Sequence, residues 1–184
     1  PLTGIARTAE NLGLDVPDIS VGVRSGDTPS AERARQVRKP PDILITTPES
    51  AYLMLTSKAA GILKTVDTVI IDEIHALAGT KRGVHLALTL ERLQQVAGDF
   101  QRIGLSATVR PLSAVSNFLG GNRPVEMGED VTLQSGNLAG VVLERASPID
   151  IPTIIWRALS GIYASNAVGK VYVYVGSSIT KEKV

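Results

Sequence analysis

The chain has 184 residues, enough for one domain or for a domain and part of a second. Its hydrophobic content of 43% with 20% charged residues is ordinary for a globular protein and excludes wholesale disorder. The formal net charge is +1, so any binding of nucleic acid would have to use local patches. With no cysteine and two histidines, the sequence excludes disulfides, and we expect no structural zinc site.

The composition also limits the cellular context and the kind of catalysis. No apolar run reaches membrane-spanning length, and the N-terminus lacks a basic-then-apolar secretory pattern. Together with the absence of cysteine, this pattern predicts a cytoplasmic protein without a membrane partner. The sequence offers few candidate residues for nucleophilic catalysis by a serine–histidine or cysteine–histidine pair, because it has two histidines and no cysteine.

Strands and helices alternate over the first two thirds of the chain. Four short apolar runs are typical of buried parallel strands, at 19–23, 42–46, 66–71 and 102–105. Helices are predicted over 4–12, after the turn 47–50, and over 84–96. A further helix is predicted to begin with Thr28 as its N-cap and Pro29 in its first position, and to end before residue 40. This alternation predicts an α/β fold, a parallel sheet with helices on both faces.

After Gly120-Gly121 the pattern changes. Residues 126–138 are glycine-rich and acidic without clear periodicity, so they are interpreted as a connection. A helix is predicted over 154–163 and a buried strand over 171–175. We therefore expect one domain over 1–125, and in 126–184 a linker with the possible start of a second domain.

The most informative segment is the end of the run 66–71, where Asp72, Glu73 and His75 follow an apolar strand. Buried strands seldom contain carboxylates, because desolvating a charge is costly without a compensating cation or hydrogen-bond donor. In an open α/β sheet, ligands bind at the carboxyl ends of the strands. There, Asp72 would hold a hydrated Mg²⁺ and Glu73 would polarise a water, as in nucleotide hydrolysis. The alternative is an acidic helix N-terminus that favours the helix dipole.

The turn 46–50, Thr-Thr-Pro-Glu-Ser, is a second chemical pattern. It places hydroxyls and backbone amides at a helix N-terminus, which is suited to a phosphate. The alternative is a structural turn capped by Thr47, with Pro48 in the first helical position. If that phosphate belongs to a nucleic-acid backbone, Arg24 and Thr28 would line the same groove along it. The alternative is that both side chains are simply solvated.

Three further polar residues have simpler interpretations. His75 is not expected to bind a metal, because no second histidine or cysteine lies at ligand spacing. Lys81 and Arg82 follow closely and are interpreted as a solvated pair, with contact to nucleic acid or to a partner domain as the alternative.

Three motifs in order carry a family resemblance. Thr46 to Ser50 resembles helicase motif Ib, Asp72-Glu73-Ile74-His75 resembles motif II, and Ser106-Ala107-Thr108 resembles motif III. The extension from Asp72 to Gly83 is closer to the large helicase-related (Lhr) group than to DEAH-type RNA helicases. From residue 1 to about 124, the chain resembles the first RecA-like motor domain of a superfamily 2 helicase.

The resemblance implies a RecA-like sheet of the P-loop NTPase class, with ATP and Mg²⁺ as cofactors. It implies that Asp72 binds Mg²⁺ through water and that Glu73 orients and deprotonates the attacking water. It also implies that His75 hydrogen-bonds toward Ser106 or Thr108 and couples hydrolysis to movement. The implied nucleic-acid contacts, to single-stranded DNA, are Arg24, Thr28, Thr47, Pro48 and Glu49. A second RecA-like domain is the other implied partner.

The phosphate-cradling part of such a site is missing from the sequence. No Gly-x-x-x-x-Gly-Lys-Ser/Thr segment occurs, and neither Gly120-Gly121 nor Gly169-Lys170 replaces it. We expect the P-loop to lie upstream and the arginine-finger motif downstream, so the chain alone is predicted to hydrolyse ATP negligibly. The alternatives are a non-catalytic nucleic-acid-binding or protein-binding module with a degenerate helicase fold, and a fragment of an RNA helicase or a nuclease-associated motor.

Overall fold

The computed structural model describes residues 11–12, 19–106, 111–121, 123–128, 139–143 and 171–175. The strands in this part of the chain are β1 Val21–Arg24, β2 Ile43–Thr46, β3 Val66–Ile71, β4 Gln101–Ser106, β5 Glu126–Gly128, β6 Ala139–Leu143 and β7 Val171–Val175. The main helices are α1 Ser30–Arg38, α2 Pro48–Leu55, α3 Ala60–Leu63, α4 Ile74–Leu77, α5 Lys81–Ala97 and α6 Leu112–Gly120. None of the described helices is long and apolar enough to cross a membrane.

The strands form one sheet in the order β1-β2-β7-β3-β4-β6-β5, and every pair of neighbours is parallel. The predicted parallel α/β sheet is therefore confirmed. Thr46 and Ile71 both pair with Val175, and Ile71 also pairs with Gly104. The carboxyl ends of β2, β3 and β4 consequently reach the same edge of the sheet, and Ser106, the last residue of β4, lies there too.

Helix α5 shows how the sequence builds the core. It begins after Thr80, whose hydroxyl accepts the N–H of Gly83 at 3.0 Å, and it ends at Gly98, which has φ 82°. Its buried leucines recur every three or four residues, so one stripe of the helix faces inward. This stripe joins buried side chains of the sheet and of α2, α3 and α4 in one cluster, including Leu44, Met54 and Val69.

The start of α1 differs from the prediction. The helix begins at Ser30, after Pro29, and Thr28 does not cap it. The Thr28 hydroxyl instead accepts the N–H of Ser25 at 2.8 Å and donates to the carbonyl of Val23 at 3.3 Å. The prediction of a Thr28 cap is wrong, because a closer backbone partner in the preceding turn takes the hydroxyl.

The last third agrees with the sequence at one strand and differs at others. The strand predicted over 171–175 is β7, whereas β5 lies inside the segment interpreted as a connection and β6 follows it. The helix predicted over 154–163 lies outside the described residues, as does nearly all of that predicted over 4–12. The division into a domain over 1–125 and a linker with a second domain over 126–184 stays a prediction.

Candidate active site

Asp72 and Glu73 stand where β3 leaves the core. Val69 and Ile71 of this strand are fully buried, whereas both acids are partly exposed. The Asp72 carboxylate accepts the N–H of Glu73 at 3.0 Å, which holds it close to the strand end. The apolar strand thus delivers two adjacent carboxylates to the edge where the carboxyl ends of β2 and β4 also lie.

The backbone of Glu73 adopts the left-handed conformation, with φ 51° and ψ 41°. Among the described residues, Glu73 is the single non-glycine residue with a positive φ. This conformation costs an L-residue with a Cβ about 1–2 kcal/mol. Such strain persists where the surroundings over-determine it, and it clusters at functional sites. Here it turns the chain from β3 into α4 and brings His75 back toward the sheet.

His75 joins Glu73 to the end of β4. Its Nδ1 lies 3.2 Å from the Ser106 hydroxyl, and its Nε2 lies 3.3 Å from a Glu73 carboxylate oxygen. Because a carboxylate only accepts, the two contacts fit a ring that donates from Nε2 and accepts from Ser106 at Nδ1. The Ser106 contact is one of the two, to Ser106 or to Thr108, that the resemblance implied; its role in coupling stays a prediction. The Glu73 contact was missed, and Thr108 lies outside the described residues.

The carboxylates fit a Mg²⁺ ion that is shared with phosphates. In the described ranges, no group of three or more His, Cys, Asp or Glu side chains is placed to hold a metal. Mg²⁺ usually keeps several waters and is held by one or two carboxylates together with substrate phosphates. Asp72 at the strand end suits that mode, and an all-protein metal cage does not match this donor set.

The turn after β2 is organised as a helix cap. Thr47 accepts the N–H of Ser50 on its hydroxyl at 3.3 Å and the N–H of Ala51 on its carbonyl at 2.9 Å. Pro48 is the first residue of α2 and is buried. The cap by Thr47 and the place of Pro48 at the start of the helix are confirmed, and the Ser50 amide is used by this cap; contact with a phosphate stays a prediction. The Thr47 side chain itself stays partly exposed.

Glu49 is paired with Arg82 of α5. Arg82 Nε lies 2.5 Å from one Glu49 carboxylate oxygen, and Arg82 Nη2 lies 2.9 Å from the other. The hydrogen bonds from Arg82 lower the pKa of Glu49 to about 2, with further help from its own backbone N–H and from Thr47. Arg82 is therefore an ion-pair partner within the chain, and the interpretation of a solvated Lys81-Arg82 pair is wrong for Arg82.

Arg24 and Thr28 lie beside this turn, at the end of β1. The carbonyl of Arg24 accepts from the Thr46 hydroxyl at 2.8 Å, and the Arg24 guanidinium reaches the carbonyl of Arg33 at 3.3 Å. Burial, followed by the charge of Arg33, lowers the pKa of Arg24. The hydroxyl of Thr28 is used inside its own turn. The polar atoms of both residues thus mainly stabilise the local structure, and their contact with nucleic acid stays a prediction.

Arg102 is a buried cation that the sequence analysis did not single out. Its side chain on β4 is 3% exposed and bonds to Glu91 and to Gln94, both of α5, at 3.0 Å each. Arg123 binds the same Glu91 at 3.1 Å. Burial lowers the pKa of Arg102, and Glu91 opposes that effect. This cluster ties α5 to β4 on the far side from the acids, and its one sequence signal is an arginine inside an apolar strand.

A parallel sheet with an acid pair at one strand end, linked through a histidine to the next strand end, is the arrangement of a RecA-like α/β domain. The comparisons with known proteins agree, since the family model for DEAD/DEAH box helicases matches residues 4–115. The chain belongs to this helicase family, and its relatives place it in the Lhr group.

Two curated relatives show the extent of the similarity. The chain is 62% identical over 125 residues to the Lhr helicase/probable uracil glycosylase of Mycolicibacterium smegmatis, covering 67% of this chain and 8% of that protein. It is 46% identical over 183 residues to the Lhr helicase/uracil glycosylase of Escherichia coli, covering 99% of this chain and 12% of that protein. The chain thus spans a small part of the length of these relatives.

Solved structures support the fold. The structure of Mycobacterium smegmatis helicase Lhr bound to ssDNA and AMP-PNP matches with TM-score 0.66 and 53% identity, over 80% of this chain and 17% of that one. The DUF1998 helicase MrfA matches with TM-score 0.53 at 19% identity, over 91% of this chain and 30% of that one, which supports the fold alone.

Proposed function

We propose that this chain forms part of an ATP-dependent DNA helicase motor that couples ATP hydrolysis to translocation along a nucleic-acid strand. The observation that carries the proposal is the link from Glu73 through His75 to Ser106. It joins a strand end with hydrolytic chemistry to the neighbouring strand end, as a motor requires. The membership in the DEAD/DEAH box helicase family supports the same function.

The chain's own residues supply positioning and charge. ATP with Mg²⁺, when bound, supplies the phosphoanhydride bond and the positive charge that neutralises the phosphates. Asp72 would hold the metal, and Glu73 would orient the attacking water and accept its proton. His75 holds the carboxylate of Glu73 through Nε2 and contacts Ser106 through Nδ1. In this proposal, a movement of Glu73 therefore also moves the end of β4.

The nucleic acid runs, in this proposal, along the edge formed by the ends of β1 and β2. Thr47 lies against the sugar-phosphate backbone with the buried Pro48 supporting it from below, while Arg24, Thr28 and Glu49 shape the surface around them. The Mycobacterium smegmatis relative bound to ssDNA supports single-stranded DNA as the partner. A second RecA-like domain completes the motor. We propose that the motor acts in the cytoplasm.

A chimera tests the proposal. The segment of the Mycolicibacterium smegmatis relative that matches this chain over 125 residues is replaced by the corresponding residues of this chain. We expect ssDNA-stimulated ATP hydrolysis and duplex unwinding, both reduced by about 100-fold or more in Glu73→Gln, because a general base contributes that much. A chimera that binds ssDNA but hydrolyses no ATP would refute the motor function.

The same assays separate the alternatives. The second candidate is a non-catalytic nucleic-acid-binding module. For that module we expect salt-dependent ssDNA binding by the chain, with no effect of nucleotide and an inactive chimera. Unwinding of RNA duplexes in preference to DNA duplexes by the active chimera would instead indicate an RNA helicase.

A further inference from the structure

The ion pair between Glu49 and Arg82 joins two helix starts that are far apart in sequence. Glu49 is in the first turn of α2 and Arg82 in the first turn of α5, 33 residues later. Both guanidinium contacts are made to one carboxylate, in the bidentate geometry that arginine adopts with planar anions. Glu49 follows Thr47 and Pro48 directly, and the Thr47 hydroxyl caps the same helix start. The pair is therefore connected directly to the turn that follows β2.

Stability does not account well for this pair. The side chains of Arg82 and Glu49 are 39% and 53% exposed, and even in bidentate geometry a pair this exposed contributes only about 1 kcal/mol to folding. A cation in the first turn of a helix also opposes the helix dipole, so Arg82 stands at an unfavourable place in α5. A role in binding explains why a cation is held beside Glu49.

The negative charge of Glu49 gives Arg82 a role in binding. Glu49 is exposed in the turn that the proposed function places against a phosphate backbone. An uncompensated carboxylate there would repel the phosphates, because like charges brought together at an interface oppose binding. The fixed fork of Arg82 cancels this charge and holds the carboxylate toward α5, beside Thr47.

We propose that Arg82 is a positioning residue for nucleic-acid binding, which neutralises and orients Glu49 so that the turn after β2 accepts a phosphate backbone. Arg82 acts through Glu49 and does not itself contact the phosphate. The proposal rests on the proposed nucleic-acid contact of the turn. It adds a residue from the segment after the acid pair to the machinery that grips the strand.

A double-mutant cycle tests the proposal with the 184-residue chain and a fluorescent oligo-dT strand, with Kd measured by anisotropy at low and high salt. We expect Arg82→Gln to weaken binding about fivefold at low salt, the effect of one unit charge a few ångströms away in water. The loss should shrink at high salt, where charges are screened. In Glu49→Gln/Arg82→Gln we expect the affinity to return to that of the wild type.

Arg92→Gln serves as the matched control. Arg92 is also exposed on α5 and also contacts α2, through Tyr52, but it lies about 15 Å further along the helix. We expect its Kd to change less than twofold. Circular dichroism and urea unfolding confirm that every variant is folded.

The outcomes distinguish a failure of the positioning role of Arg82 from a failure of the proposed nucleic-acid function. A double variant as weak as Arg82→Gln would show direct phosphate contact by Arg82 and overturn the positioning role. Weaker binding by Glu49→Gln alone would overturn it as well, because Glu49 would then contribute to binding. If the folded wild-type chain shows no salt-dependent binding, the nucleic-acid function itself fails together with this inference.

Discussion

Gly83 lies where α5 crosses the end of α4, and replacing it by alanine tests this packing. A Cβ at Gly83 would lie 2.0 Å from the carbonyl oxygen and 2.7 Å from the carbonyl carbon of Leu77, and 3.3 Å from a ring carbon of Phe118. The close neighbours are backbone atoms, so the start of α5 must move by about 1 Å to restore ordinary contact distances. This shift would also disturb the cap that Thr80 provides to Gly83.

The magnitude follows from two opposing terms. Overpacking costs about 1–3 kcal/mol, and the upper end applies because backbone cannot rotate away. Alanine recovers about 1 kcal/mol of helix propensity relative to glycine. We therefore expect Gly83→Ala to lower the free energy of unfolding by about 2 kcal/mol, equivalent to about 4–8 °C in Tm for a chain of this size.

Urea unfolding followed by circular dichroism measures the change. Gly61→Ala in α3 is the control, because a Cβ at Gly61 would meet nothing within 4 Å and we expect no loss of stability. Equal stability of the Gly83→Ala and Gly61→Ala variants would refute the reasoning, since it would mean that α5 does not approach Leu77 as closely as described.

Three further predictions concern caps and charges. Thr80→Ala should lower the free energy of unfolding by about 1 kcal/mol in urea titrations, because it removes the cap of α5; an unchanged midpoint would contradict the cap. The pKa of Glu49 is lowered to about 2, so its stabilising effect is present above about pH 4.5 and is lost as the pH falls toward 2. Because Glu49 is more than half exposed, we expect an acid loss of about 1 kcal/mol, absent from Glu49→Gln when the two acid titrations are compared; parallel titrations would contradict it. Glu91→Gln should cost about 2–3 kcal/mol in thermal unfolding, because Arg102 stays buried without its carboxylate; a loss below about 0.5 kcal/mol, the size for an exposed pair, would contradict this.

Local patterns were sufficient for much of the fold. The β-branched run before Asp72 and the apolar stripe of α5 predicted a strand and a helix close to those observed, since both elements bury one continuous apolar surface. The strand β5 was missed because it has only three residues and no periodicity, and β6 was missed although Ala139–Leu143 is an apolar run, because it directly follows the glycine-rich, acidic segment. The place of β6 in the sheet depends on its pairing with β4, and that of β5 on its pairing with β6, which no local signal encodes.

The candidate site was predicted in position but not in detail. The sequence indicated Asp72 and Glu73, because adjacent acids at a strand end are a local signal, whereas the contact of His75 with Ser106 or Thr108 was implied by the family resemblance alone. The pairing of Glu49 with Arg82 was missed, because it depends on how α2 and α5 pack across the sheet edge. The burial of Arg102 likewise depends on partners from α5 and beyond.

The left-handed backbone at Glu73 predicts a conflict between robustness and activity. Glycine adopts this conformation without the cost that a Cβ imposes, so Glu73→Gly should relieve up to about 1 kcal/mol of local strain. Selection for thermostability alone would therefore favour loss of the carboxylate that the proposed chemistry needs. Any programme that evolves this chain for heat resistance should keep Glu73 fixed and seek its gains elsewhere in the molecule.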